Sequence, residues 1–126
     1  MLKIKLDLLK LDKKTTLIKG GASNVVKVAN LAKSANNLAI TQLKLSNVDA
    51  DNTTAMLEAS NAMIESQDAF ITKVEKALSE LFKLNKKDVT QVMDGASVTD
   101  LMAFVNYVYG RMNGATDEDF EEAPKE

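Results

Sequence analysis

A mainly helical α+β fold, with an N-terminal β-hairpin, about four helices and a flexible acidic C-terminal tail, is predicted by three features of the sequence. Apolar and charged residues alternate from Leu2 to Leu8, a long stretch without Gly or Pro carries apolar residues at seven-residue spacing, and carboxylates crowd the C-terminus. The chain has 126 residues, 45% apolar and 27% charged, the size and composition of one domain with a real core. We expect that domain over residues 1–114 and a disordered acidic tail over 115–126.

The hairpin comes first. Leu2, Ile4, Leu6 and Leu8 fall on one face of a strand, with Lys3, Lys5 and Asp7 on the other. Asp12, Lys13 and Lys14 interrupt, and the β-branched run Thr15, Thr16, Leu17, Ile18 gives a return strand before Gly20 and Gly21. A hairpin over 2–19 is marginal by itself. Its apolar face has to cover a helix or meet another subunit, and its free edge invites pairing.

Four helices follow. Ser23 or Asn24 can cap a first helix over about 24–45, whose stripe runs through Val25, Val28, Ala29, Leu31, Ala32, Ala35, Leu38, Ala39 and Leu43. Asp51 or Asn52 opens the second, about 53–84. There Met56, Met63 and Phe70 form one row, Leu57, Ile64, Ile71 and Leu78 another, and Val74 and Leu81 a third in which Ser60 and Gln67 take the earlier places. This pattern reads first as packing inside the chain, with an intersubunit coiled coil as the alternative. Asn85 and Asp88 suit a capped short helix over 86–94 that Gly95 can end in the left-handed conformation. Ser97 and Asp100 form a capping box for the last helix, about 98–113, which Gly114 ends; Phe104 and Tyr107 fall off its main apolar stripe, either to broaden the core face or to stay exposed for a partner.

Chemistry is limited by composition. With no Cys, His or Trp, disulfides, zinc fingers, imidazole proton transfer and cysteine or serine–histidine nucleophiles are all excluded. The carboxylates of the second helix have no histidine or matching helix with which to build a metal site, and Gly20-Gly21 lacks the rest of a phosphate loop. We therefore expect no enzyme and no cofactor. No apolar run is long enough to span a bilayer, and no export signal is visible.

Net charge is −2, unevenly spread: residues 115–126 carry six carboxylates against Lys125, a net of −5, and the remainder is +3. Lys3, Lys5, Lys10, Lys13 and Lys14 crowd the hairpin, and Lys83, Lys86 and Lys87 cluster near the short helices. Phosphate binding needs such charges. Base reading and strand stacking, however, call for more than the single arginine, Arg111, and for interleaved aromatics that are missing.

The order of pieces resembles the tail assembly chaperones of long-tailed, siphovirus-type bacteriophages. The resemblance rests on the opening strand Met1-Leu2-Lys3-Ile4-Lys5-Leu6, on Leu81-Phe82-Lys83-Leu84-Asn85 and Asp94-Gly95-Ala96, and on the close Met112-Asn113-Gly114. It implies a non-enzymatic chaperone of the host bacterial cytoplasm that binds the tape-measure protein and recruits tail-tube subunits. It also implies absence from the finished virion and, in some members, a frameshifted longer product. Leu81, Phe82, Phe104 and Tyr107 are the expected contact surface for a helical client. Leu2, Ile4 and Leu6 are expected to mediate self-association into a homo-oligomer. Alternatives are a small structural or adaptor protein of the phage particle and, further off, a DNA-binding regulator.

Overall fold

The structure, a computed structural model, describes residues 2–11 and 15–121. Strand β1 (Leu2–Lys5) pairs antiparallel with β2 (Thr15–Ile18), Leu2 opposite Ile18 and Ile4 opposite Thr16. Five helices follow: α1 (Ala22–Ser46), α2 (Thr53–Glu80), α3 (Lys86–Gly95), α4 (Val98–Met112) and α5 (Asp117–Glu121). The expected hairpin and four helices are present. A short fifth helix lies in the segment expected to be disordered from residue 115, of which residues 122–126 lie outside the described residues.

The first strand is shorter than the alternation suggests. After Lys5 the chain makes a 3₁₀ turn, Asp7–Leu9, closed by Lys10 at φ 60°. Ile4 and Leu6 point into the core, but the turn swings Leu8 outward and puts Leu9 inside. Asp12, Lys13 and Lys14, expected to separate the strands, lie outside the described residues.

Helix ends follow local chemistry. Asn52 accepts from the Ala55 amide at 3.0 Å to start α2, and Asn85 accepts from the Asp88 amide at 2.8 Å to start α3. At α4, Ser97 and Asp100 satisfy each other's backbone amides, at 3.1 and 3.0 Å. α1 departs from expectation. Gly21 takes its N-cap position without a side-chain bond, and Asn24 instead donates to the Lys19 carbonyl. Gly95 also differs, since α3 ends at an extended Ala96, whereas Gly114, at φ 100°, does take the left-handed turn.

α2 stops at Glu80 rather than near Leu84. Lys83 adopts φ 58°, and the amides of Phe82 and Leu84 bond back to the carbonyls of Ala77 and Leu78 at 3.1 and 2.9 Å. This left-handed reversal turns Leu81, Phe82 and Leu84 into the core. There Phe82 and Phe104 meet with ring centroids 5.3 Å apart, tilted by 57°, a favoured aromatic geometry. The core gathers Ile4, Leu6, Leu9 and Ile18 from the hairpin, the first two-thirds of α1, the last third of α2, and most of the inner face of α4. Everything else in the long helices extends beyond it.

Candidate protein-interaction surfaces

The residues expected at a contact surface lie inside this core. Leu81, Phe82, Phe104 and Tyr107 are all buried, as are Ile4 and Leu6, while Leu2 is partly buried against the same cluster. The reason for α4 is the width of its apolar stripe. Leu101, Phe104, Val105, Tyr107 and Val108 are all buried, because the helix packs against α1 on one side and against the hairpin and its 3₁₀ turn on the other. Sequence spacing put Phe104 and Tyr107 off the main stripe; two packing partners make that stripe broader. Leu81 keeps one link to the surface, as part of the floor of a cleft between α1 and α2.

The β1 edge, expected to invite pairing, is covered by α4 side chains. Tyr107 Oη accepts from the Lys5 amide at 3.1 Å, and Arg111 Nη1 donates to the Lys3 carbonyl at 2.9 Å. Asp117, at the start of α5, accepts from both Tyr107 Oη and Arg111 Nη1 at 2.6 Å. The hydrogen bond from Tyr107, reinforced by Arg111, lowers the carboxyl pKa of Asp117 from its ordinary 3.8. Burial, followed by the bond to Asp117, raises that of the Tyr107 phenol. The cluster binds the acidic segment, α4 and β1 together.

The surface that sequence reading missed is an arm. From residue 39 to residue 69 no side chain is buried, although this stretch includes the end of α1, the connecting turn and the first half of α2. At 28 residues α2 is about 42 Å long, whereas the 15 residues of α4 span about 22 Å. α4 and the hairpin therefore cover only part of the α1–α2 pair, and the rest projects. Inside the arm Thr41 Oγ1 lies 3.1 Å from Ser66 Oγ, and Leu45, Met56 and Met63 are partly buried. Four large aliphatic side chains are left open: Ile40 is 50% exposed, Leu43 62%, Leu57 61% and Ile64 64%. Ile64 and Ile71 flank a shallow hollow with Gln67 and Asp68.

The sequence held a signal for this. Ser60 and Gln67 break the third heptad row in the part of α2 where the core gives out. Leu57 and Ile64 belong to the heptad row that Ile71 and Leu78 continue, but Leu78 is buried where α2 meets the core, and Leu57 and Ile64 lie beyond it. Charge marks the same division. Residues 39–69 carry Lys44 against Asp49, Asp51, Glu58, Glu65 and Asp68, a net of −4. Leu57 and Ile64, seven residues apart, share one face of α2, with Glu58, Glu65 and Asp68 close by along the helix, and an apolar row of this kind beside carboxylates is suited to an amphipathic helix with basic flanks.

Among the described residues no group of three His, Cys, Asp or Glu could hold a metal ion, and no helix is long and apolar enough to cross a membrane. Fold and surfaces together define a small, mainly helical protein that offers exposed helix surface. The family model of phage tail assembly chaperone proteins, TAC, matches residues 3–126, and the chain belongs to that family. Its role is that of a chaperone in phage tail assembly, which is not a class of enzyme and which involves interaction with tail proteins. Neither a curated protein nor a solved structure matches the chain.

Proposed function

We propose that this chaperone binds the tape-measure protein through the projecting α1–α2 arm and recruits tail-tube subunits to it in the host bacterial cytoplasm, without a cofactor. The observation that carries the reading is the exposure of four large aliphatic residues, Ile40 and Leu43 on α1 and Leu57 and Ile64 on α2, on a segment that contributes no buried side chain to the fold. Covering a Leu or Ile fully is worth about 1.5–3 kcal/mol, so half-exposed residues of this kind can supply substantial affinity when a client helix covers them. The family membership supports a tail protein as the client. The acidic rim favours clients whose helices carry Lys or Arg beside their apolar face.

The test is co-expression with the tape-measure protein of the same phage, followed by affinity capture. The wild-type chain should retain the tape-measure protein, and a Leu57→Ser/Ile64→Ser variant with unchanged helical content should lose most of it. Equal retention by the variant would contradict the placement on the arm. Purified virions distinguish the remaining reading: stoichiometric amounts of this chain in the particle would mark a structural component.

A further inference from the structure

At the base of the long helices lies a groove of opposite chemistry to the arm. Two adjoining hollows, of 270 and 240 Å³, run from the α1–α2 seam to the end of β2 and share Lys27, Glu80 and Leu81. Leu31, Ala77 and Leu81 floor the first, and Leu17 and Ile18 continue an apolar surface into the second. Lysines line the groove throughout. Lys27 comes from α1, Lys73 and Lys76 from α2, Lys19 from the end of β2, and Lys83 from the left-handed turn after α2.

All five lysines are exposed, and no ion pair among the described residues joins any of them to a carboxylate. Glu80 is the single acidic residue in the lining, so the groove carries a net +4. Residues 2–38 and 70–114 together are +7, against −4 for the arm. Sign therefore separates the two surfaces.

We infer that this groove binds an acidic peptide segment of a partner protein, one that inserts an aliphatic or aromatic side chain over Leu31, Ala77 and Leu81 while its carboxylates meet the lysines. A protein segment fits better than nucleic acid on three counts. The rim has lysine and no arginine, the lining has no aromatic ring on which a base could stack, and an apolar floor has nothing to offer a sugar–phosphate backbone. The inference stands apart from the arm, because the two surfaces share no residue and fit clients of opposite charge.

The probe is a fluorescently labelled amphipathic peptide with leucines on one helical face and glutamates elsewhere, titrated against the full chain by anisotropy. Saturable binding is expected that weakens about tenfold or more in Lys27→Glu/Lys76→Glu, as when an interfacial charge pairing is reversed. The Lys27→Gln/Lys76→Gln variant should fall between, since it removes charge without reversing it. Binding should persist in the Leu57→Ser/Ile64→Ser arm variant and vanish when the peptide's glutamates are replaced by glutamine. Both lysines are exposed, so unfolding curves of the variants should match the wild type and exclude misfolding as the cause. Equal binding by the lysine variants would overturn the proposal. So would preference for an oligothymidylate over the peptide, or lysine-dependent self-association of the chain without peptide.

Discussion

Leu57 and Leu78 occupy the same heptad row of α2, yet Leu78 is fully buried and Leu57 is 61% exposed. One continuous apolar stripe thus serves two purposes along a single helix. Its C-terminal part holds the fold against α1, α3 and α4, and its N-terminal part is left uncovered on the arm.

The two halves should respond differently to truncation. Leu78→Ala should cost about 2–5 kcal/mol, the range for deleting a large buried aliphatic group. Leu57→Ala and Ile64→Ala should stay within about 0.5 kcal/mol, as for surface sites. Urea unfolding followed by circular dichroism measures both, and a loss at Leu57 as large as at Leu78 would mean that the arm is part of the folding unit in a way its exposure does not show.

Phe104 separates a fold residue from a contact residue. It is buried between Phe82 and Tyr107, with centroids 5.3 and 6.5 Å away. Phe104→Ala should therefore destabilise the chain by about 3–5 kcal/mol. Any loss of client capture in that variant should track the unfolded fraction, measured in the same preparation by denaturation. Full stability with lost capture would return Phe104 to the contact surface.

Lys83 pays for the turn that ends α2. A side chain with a Cβ held at φ 58° is disfavoured by roughly 1–2 kcal/mol relative to right-handed backbone, a cost that glycine escapes. Lys83→Gly should raise the midpoint of chemical denaturation, corresponding to about 1 kcal/mol of added stability. A lower midpoint would show that the lysine side chain contributes more than its backbone conformation costs.

Acid should release the acidic segment from α4. The carboxyl pKa of Asp117 is lower in the fold than its ordinary 3.8, through the Tyr107 hydroxyl first and then Arg111. A depressed acid contributes stability that is present above its unfolded pKa and lost as pH falls through the folded one, so the loss should begin below about pH 4. Asp117→Asn should flatten that part of the stability–pH profile while leaving neutral-pH helicity nearly unchanged. An identical acid slope in the variant would assign the transition to other carboxylates.

Much of the fold was legible because local chemistry and periodicity agreed. Asn52, Asn85 and the Ser97–Asp100 box start the helices that the apolar spacing outlines. Errors arose where backbone geometry overrode pattern. The 3₁₀ turn at Asp7–Leu9 displaced Leu8, and the left-handed Lys83 ended α2 early. The interaction surface was harder to read, because spacing shows which residues share a helix face but not how far a neighbouring helix reaches along it. Phe104 and Tyr107 looked spare until α4 proved to have two packing partners, and Leu57 and Ile64 looked internal until α4 proved too short to cover them. Arg111 and Asp117, which bind the tail to β1, carry no sequence motif; they meet only because α4 ends beside Lys3.

The claim that the arm is the client-docking surface is tested most directly by amide hydrogen exchange on the chain free and in complex with its co-expressed tape-measure protein. Protection should rise most in residues 39–69, above all around Leu43, Leu57 and Ile64, with little change along α4. Protection confined to α4 or the hairpin, with the arm exchanging as fast as in the free chain, would contradict the account.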